Sequence, residues 1–235
     1  MSADSSIERG TVLHVDAEAA SAVSVFRHAI EITSLRHLGV ATTAAAGIEA
    51  ARRLQPTMVI LDLFLPDMDG HTLIAALLAL APKPLLLVLT TRADDATLFR
   101  LGKLPVNGII WKTLEAVREL PVAIQEISRG RGYFPRSVQQ AMQRLRTSPN
   151  CFFKILSDQE LELLPLLGAG QSDAEIAKLL SLSASTIHSH RQRIMSKLGL
   201  HTSVDLMRWA MAKGFVHIAR SGPPCVSTSW ISNSP

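Results

Sequence analysis

Thr57-Met58-Val59-Ile60-Leu61-Asp62 is an apolar run without polar alternation that ends in a carboxylate. Such a run is typical of a central strand that is buried on both faces of a parallel sheet. Pro56 precedes the run, and an apolar stretch of helical length, Leu73–Leu80, follows it. Because parallel strands are connected by helices that cover the sheet, this stretch predicts an α/β fold.

The sequence on both sides of this run repeats the alternation of strand and helix. Four more strands are predicted, at Thr11–Val15, Val40–Thr43, Leu85–Leu89 and Ile109–Trp111. The predicted helices are Glu18–His37, ended by Gly39, then Ala45–Leu54, Leu73–Leu80, Asp95–Leu101 and a last one with Pro121 in its first turn that runs to about Arg129. This order indicates a doubly wound, five-stranded parallel sheet.

Composition limits the class of protein. The chain has 235 residues and 47% hydrophobic content, which suits about two domains at roughly 150 residues each. The first ten residues are polar, unlike a signal peptide, and Pro82-Lys83-Pro84 interrupts the most apolar stretch, so we expect a cytoplasmic protein without a membrane span. Cys151 and Cys225 lie far apart without a partner motif, which predicts free thiols.

The net charge of +4 is unevenly distributed along the chain. Residues 10–126 form the predicted α/β domain, and residues 1–126 carry a net charge of −3. Residues 127–150 carry five arginines and no acid and are predicted to be a linker with a helix over Ser137–Leu145. This linker could contact DNA phosphates, dock on the acidic domain or remain solvated. Residues 151–235 carry +2, with a helical domain predicted at 151–217 and a disordered tail at 218–235.

The second domain contains four helix-start signals. Ser157 with Glu160 three residues later is a capping box. Ser172-Asp173 can cap a helix over Ala174–Leu180, Ser183 a helix over Ala184–Leu198 that ends at Gly199, and Ser203 can begin a helix to Lys213, before Gly214. The spacing therefore predicts an all-α domain of four helices.

Four chemically related side chains follow the strands of the first domain. Asp16, Asp62, Thr90 and Lys112 come at the carboxyl ends of strands one, three, four and five, where functional groups of a doubly wound sheet gather. A carboxylate there can attack a phosphoryl group if a hard cation neutralises the nearby charge, and Asp62 is the expected nucleophile. The ammonium and the hydroxyl could hold phosphoryl oxygens.

The sequence Asp62-Leu63-Phe64-Leu65-Pro66-Asp67-Met68-Asp69-Gly70 resembles the motif after the phosphoacceptor of response-regulator receiver domains. The spacing of Thr90 and Lys112 also fits that family. The resemblance implies a flavodoxin-like fold, Asp62 as phosphoacceptor, Thr90 as switch residue and Lys112 as phosphate partner. It also implies Mg²⁺ held by Asp16, Asp62 and the Phe64 backbone carbonyl.

Three positions depart from the family pattern. Ala17 stands where receivers usually have a second acid, so we expect weaker metal binding unless Glu18 compensates. Ile109 replaces the aromatic residue that usually moves with the switch threonine, so that switch must be built differently. Thr113 replaces a proline that often follows the lysine.

The segments Leu156–Glu160, Gly170–Ala177, Ser183–His190 and Lys197–Gly199 resemble the LuxR-type helix-turn-helix. On the helix from Ala184, an apolar face leaves small, amide and basic side chains opposite, which suit the major groove of double-stranded DNA. The expected base-facing residues are Ser185, His188, Ser189, Gln192 and Arg193, with Ser196 on the same face. Thr186, Arg191 and Lys197 are assigned to phosphates, and His190 to the core or a hinge.

The order of a receiver and then this helix-turn-helix resembles the NarL/FixJ class of transcriptional regulators. The class implies a sensor histidine kinase as phosphodonor, dimeric binding to DNA and RNA polymerase as eventual target. Leu206, Trp209 and Ala210 could form the dimer contact of the last helix, or could complete its core.

Two other functions fit parts of the sequence. Ala17 and Ile109 suit a pseudo-receiver that acts independently of phosphorylation. Asp62 could be the covalent nucleophile of a haloacid-type phosphohydrolase, but those enzymes carry a second Asp two positions later, where this chain has Phe64.

Overall fold

The computed structural model of the protein describes residues 10–18, 33, 35–149 and 151–216. These residues form two compact units, the first within residues 1–93 and 101–140 and the second within 94–100 and 141–235. No helix among the described residues is both long and apolar enough to span a membrane.

The first unit is a five-stranded parallel sheet in the order β2-β1-β3-β4-β5. The strands are β1 (Thr11–Val15), β2 (Arg36–Ala41), β3 (Met58–Leu61), β4 (Leu85–Thr90) and β5 (Gly108–Trp111). The helices of this unit are α1 (Ala44–Leu54) after β2, α2 (Gly70–Leu78) after β3 and α4 (Ala116–Ser128) after β5. Helix α3 (Asp95–Leu101) follows β4 in the chain, but its residues 95–100 group with the second unit. All four residues of β3 are buried, as the apolar run predicts, and the doubly wound fold is confirmed.

The second strand begins earlier than predicted. His37 and Gly39, predicted as the end of a helix, both pair with β1, so that boundary was wrong. Gly39 has φ +137, a conformation that favours glycine, and the pairing register of β1 with β2 shifts between Val12 and Leu13. Gly39 therefore allows an irregularity in β2 and does not end a helix. Residues 19–32 and 34 of the predicted first helix lie outside the described residues.

Helix α4 begins at Ala116, five positions before the proline that was predicted to lie in its first turn. Its buried face, which includes Leu120, Ile124 and Ile127, packs on Ile60 and Leu89 of the sheet. Burial of this face offsets the backbone hydrogen bond that Pro121 cannot make.

A short segment after α4 extends the sheet beyond β5. Tyr133 donates its N–H to the Asn107 carbonyl (2.9 Å) and accepts from the Ile109 N–H (3.1 Å), forming a parallel bridge with Gly108. A Cβ on Gly108 would lie 2.8 Å from the Tyr133 carbonyl oxygen, so the close approach requires glycine. Residues predicted as linker thus pair with the sheet.

The second unit is mainly helical. Beyond α5 (Arg136–Thr147), which contains the predicted linker helix, come α6 (Phe152–Ile155), α7 (Asp158–Gly168), α8 (Asp173–Leu180), α9 (Ala184–Leu198) and α10 (Ser203–Ala212). Ser157, Ser172 and Ser183 are N-caps as predicted, whereas Thr202 caps α10. The predicted disordered tail at 218–235 and Cys225 lie outside the described residues, and Cys151 is a buried free thiol.

Candidate functional site

The four side chains predicted at the strand ends meet at the carboxyl edge of the sheet. Lys112 Nζ lies 2.7 Å from Asp16 Oδ2 and 2.9 Å from Asp62 Oδ2. Asp16 and Thr90 are fully buried, and Asp62 is 4% exposed. The Lys112 N–H also donates to the Thr90 carbonyl (2.8 Å), which fixes the ends of β4 and β5 together. The ammonium therefore joins both carboxylates in one pocket.

Electrostatic interactions favour the charged forms of Asp16 and Lys112. Burial acts to raise the pKa of Asp16, but hydrogen bonds from His14, Lys112 and the Glu18 N–H outweigh it and lower the pKa to about 2. Burial acts to lower the pKa of Lys112, yet Asp16 and Asp62 raise it above its usual value. Asp62 lies beside this charged lysine, which is the arrangement that nucleophilic attack of a carboxylate on a phosphoryl group needs.

The loops that carry the motif are fixed by local contacts. The Phe64 N–H donates to Asp62 Oδ1 (3.1 Å), and a Cβ on Gly70 would come within 2.4 Å of the Leu63 Cα. Asp67 accepts hydrogen bonds from the N–H groups of Ala44 and Ala45 (2.8 and 2.9 Å), so it caps α1 from the loop after β3. Sequence reasoning assigned no role to Asp67.

The donor set of the pocket fits a hard divalent cation. Asp16 and Asp62 supply carboxylate oxygens beside the Phe64 segment, and oxygen ligands are what Mg²⁺ prefers. Ala17 is exposed and its side chain has no oxygen ligand, and the Glu18 N–H donates to Asp16 Oδ1 (2.8 Å). No cluster of three or more His, Cys, Asp or Glu suited to a metal occurs in the described part of the chain. The pocket thus offers two carboxylates.

Ile109, which replaces the aromatic partner of the switch threonine, lies in the core. Ile109 is fully buried in β5 beside Val88 of β4. The Thr90 hydroxyl accepts a hydrogen bond from the Arg92 N–H (3.1 Å).

Helix α9 of the second unit has the two faces that were predicted. Ile187 and Ile194 are fully buried, and His190 is half-buried. The opposite face is exposed and consists of Ser185, His188, Ser189, Gln192, Arg193 and Ser196. Only His188 of this face contacts an acid in the described residues, because its Nδ1 lies 3.1 Å from Asp173 Oδ2. The remaining face suits a nucleic-acid groove.

Two of the three predicted phosphate contacts are engaged within the domain. Arg191 is 8% exposed and binds Asp173 (2.8 Å) and the Gln171 carbonyl (3.0 Å). Lys197 binds Glu160 (2.7 Å), whose side chain is 2% exposed. These contacts tie α9 to α7 and α8, so the geometry does not favour phosphate roles for the two cations. Thr186 is half-buried, with its hydroxyl 2.7 Å from that of Ser183.

Leu206, Trp209 and Ala210, predicted either for the dimer contact or for the core, pack within the second unit, and Trp209 is half-buried. Leu206 and Ala210 are fully buried. Trp209 packs edge-on against Phe152 and is stacked on Phe215, with ring centroids 6.0 and 5.8 Å apart. The exposed side of α10 carries Val204 and Met211, 53% and 39% exposed.

Comparison with known families agrees with both units. Residues 12–125 match the family of the response regulator receiver domain, whose members generally bind Mg²⁺ at the phosphorylation site. Residues 154–210 match bacterial regulatory proteins of the luxR family.

Relatives of known name and structure cover most of the chain. The oxygen regulatory protein NreC of Staphylococcus epidermidis is 30% identical over 187 residues, which span 74% of this chain and 85% of NreC. The RcsB–DNA complex is 28% identical with TM-score 0.58, covering 87% of this chain and 98% of that one. RcsB of Salmonella enterica serovar Typhimurium, bound to promoter P1flhDC with the phosphomimetic BeF₃⁻, is 26% identical with TM-score 0.61 and the same coverage. The chain therefore belongs to the two-component response regulators of the NarL/FixJ class, which are DNA-binding transcriptional regulators and not enzymes.

Proposed function

We propose that phosphorylation of Asp62 controls DNA binding by helix α9 in this regulator. The observation that carries the proposal is the Lys112 ammonium, which lies within 2.9 Å of both Asp16 and Asp62 at the carboxyl edge of the sheet. The pocket holds a carboxylate nucleophile, a lysine cation paired with it and a buried hydroxyl, which are the groups that phosphoryl transfer to a carboxylate requires.

The chemistry follows from these positions. An Asp62 carboxylate oxygen bonds to the phosphorus of the donor, while the bond from phosphorus to the donor atom breaks and its electron pair leaves with the donor. Lys112 stays protonated, because its pKa is raised, and pairs with the new phosphoryl oxygens. Asp16, Asp62 and the Phe64 carbonyl would hold Mg²⁺, which when bound neutralises charge on the transferring group. The expected donor is a sensor histidine kinase.

Acetyl phosphate tests this step without a kinase. The full-length protein, incubated with acetyl phosphate and Mg²⁺, is expected to gain the mass of one phosphoryl group in an intact mass spectrum. Asp62→Ala should gain none, and Glu49→Gln, which changes an exposed acid on α1, should gain the same as wild type. Equal labelling of Asp62→Ala would contradict the assignment.

The exposed face of α9 supports DNA recognition. A Gln side chain can pair with adenine and an Arg with guanine, each worth about 1–3 kcal/mol of discrimination. Gln192 and Arg193 are both exposed on this face, next to Ser189 and Ser185. The RcsB complexes show that an architecture similar to this one binds promoter DNA. We assign the same role to this chain, as a dimer that acts on RNA polymerase.

Charge reversal on α9 tests the assignment. Ser189→Glu with Gln192→Glu should abolish specific binding in a gel shift, because two carboxylates would face the bases and phosphates. Glu49→Gln, on the exposed side of α1, is a control that should bind as wild type. Unchanged binding by the double variant would show that another face reads DNA.

A phosphorylation-independent regulator is the second candidate, and Ala17 favours it because it removes one expected metal ligand. Normal target-gene expression in an Asp62→Ala strain would support this second reading. Loss of regulation in that strain supports the first.

A further inference from the structure

A contact between a cation and an aromatic ring joins the loops after β3 and β4, whose backbones hydrogen-bond Asp62 and Thr90 of the phosphoacceptor pocket. The guanidinium carbon of Arg92 lies 4.9 Å from the centroid of the Phe64 ring. Phe64 is in the loop after β3, and Arg92 is in the loop after β4. The ring is 37% exposed, so this pair is at the surface of the pocket rather than in the core.

The backbones of the same two residues hold the reactive side chains. The Phe64 N–H donates to Asp62 Oδ1 (3.1 Å), and the Arg92 N–H donates to the Thr90 hydroxyl (3.1 Å). A change in the position of either Asp62 or Thr90 therefore acts directly on one partner of the cation–π pair. The cation–π pair is thus connected to Asp62 and Thr90 through two backbone hydrogen bonds.

This chain has an aliphatic residue at the position where a receiver usually carries its switch aromatic. Ile109 is fully buried and cannot move between core and solvent as a half-exposed ring can. Phe64 is such a ring, and it has a cationic partner. Burial of Ile109 and exposure of the Phe64 ring suggest that Phe64 and Arg92, rather than residue 109, change position in this receiver.

We propose that Arg92 is a phosphoryl-binding residue that leaves the Phe64 ring when Asp62 is phosphorylated. The proposal rests on phosphorylation of Asp62 as the control of this regulator. In the unphosphorylated protein Arg92 is held over the ring, and in the phosphorylated protein its guanidinium pairs with phosphoryl oxygens.

Charge explains the direction of the change. Phosphorylation replaces the Asp62 carboxylate by an acyl phosphate, which carries a charge of about −1.5 to −2 and three strong acceptor oxygens, in a pocket where Lys112 is the cation paired with Asp16 and Asp62. A charge-assisted hydrogen bond from a guanidinium to such an oxygen is stronger than a cation–π contact at an exposed site.

Nuclear magnetic resonance of the full-length protein with ¹⁵N-labelled arginine observes this movement directly. In the unliganded protein the side-chain signals of Arg92 should be shifted upfield by the Phe64 ring, and Phe64→Leu, which retains the backbone carbonyl and N–H, should remove that shift. Addition of beryllofluoride and Mg²⁺ should also remove it. A ring-current shift that persists at saturating beryllofluoride would overturn the proposal.

Affinity for beryllofluoride, followed by calorimetry, provides a second test with opposite expected signs. Arg92→Ala should weaken binding about tenfold, because it removes the guanidinium from the phosphoryl site. Phe64→Leu should strengthen binding about two- to fivefold, because it removes the competing contact. Arg53→Ala, which deletes an exposed cation on α1, should bind as wild type. Equal affinities of Arg92→Ala and Arg53→Ala would count against the role of Arg92.

The acetyl phosphate experiment separates this inference from the function on which it rests. If wild type gains no phosphoryl mass, both fall. If wild type is phosphorylated but Arg92 stays over the ring, the function stands and the role of Arg92 falls.

Discussion

Arg191 shows how a residue on the helix that we propose binds DNA can also stabilise the fold. It lies on α9, yet its guanidinium is buried against Asp173 of α8 and the Gln171 carbonyl. Burial acts to raise the pKa of Asp173, but hydrogen bonds from Arg191 and His188 lower it below its usual value. The pair therefore fixes the angle between two helices of the helix-turn-helix.

Removal of Asp173 should expose the cost of a buried, unpaired guanidinium. We expect Asp173→Ala to lower the free energy of unfolding by about 2–3 kcal/mol, less than the full cost of a broken buried pair because the carboxylate is partly exposed. His188→Ala breaks a contact with the same carboxylate, but the histidine side chain is 61% exposed, so its cost should be below about 0.5 kcal/mol. Urea denaturation of the two variants checks this difference, and equal effects would contradict it.

The pocket residues were predictable one by one, but their supports were not. Asp16, Asp62, Thr90 and Lys112 follow apolar runs, so the end of each strand could be identified from the sequence. Asp67 bonds α1 from 22 to 23 positions away, and Arg191 bonds Asp173 from 18 positions away. Such pairs depend on how loops and helices pack in three dimensions. The local periodicity of the sequence does not predict this packing.

Among the elements, the strands and capped helices were easiest to predict, because their causes are local. β1 and α3 have the predicted bounds, and α9 begins and ends at its predicted caps. The boundary between the first helix and β2 was wrong, because Gly39 allows both a helix end and an irregular strand, and pairing with β1 decides between them.

Helix α4 offers a test of how packing overrides helix propensity. Pro121 in its interior leaves the Val117 carbonyl without its usual intrahelical donor. We expect Pro121→Ala to raise the free energy of unfolding by about 1–2 kcal/mol, since the loss of the proline penalty of about 3 kcal/mol exceeds the entropy that proline removes from the unfolded chain.

Thermal or urea denaturation measures the effect. Val122→Ala, an exposed neighbour on the same helix, should change stability by less than about 0.5 kcal/mol. A destabilised Pro121→Ala protein would mean that α4 has adapted its curvature to the proline.

On the scale of the whole molecule, the basic linker divides into two parts. Arg129 and Arg131 turn back to Glu126 at the end of α4, with Arg131 Nη2 2.7 Å from Glu126 Oε1. Arg136 and Arg146 lie on the exposed surface of α5, and neither forms an ion pair within the described part of the chain. The linker charge available to DNA is thus smaller than the sequence total suggests.

The salt dependence of DNA binding tests this division. Arg136→Gln with Arg146→Gln should reduce the slope of log affinity against log salt by about 1.8, because each phosphate contact contributes about 0.9. Arg129→Gln with Arg131→Gln should leave the slope within experimental error of wild type. Gel shifts or fluorescence anisotropy over a salt series give both slopes, and equal slopes for the two variants would contradict the division.

The bridge between Tyr133 and Gly108 has a consequence for behaviour at high concentration. β5 is the last strand of its sheet, and an unprotected sheet edge exposes backbone groups that can recruit a strand from another molecule. Tyr133 occupies the outward-facing Asn107 carbonyl and Ile109 N–H with groups from the same chain. The segment after α4 therefore protects the edge of β5 from pairing with a strand of another molecule, which would lead to aggregation.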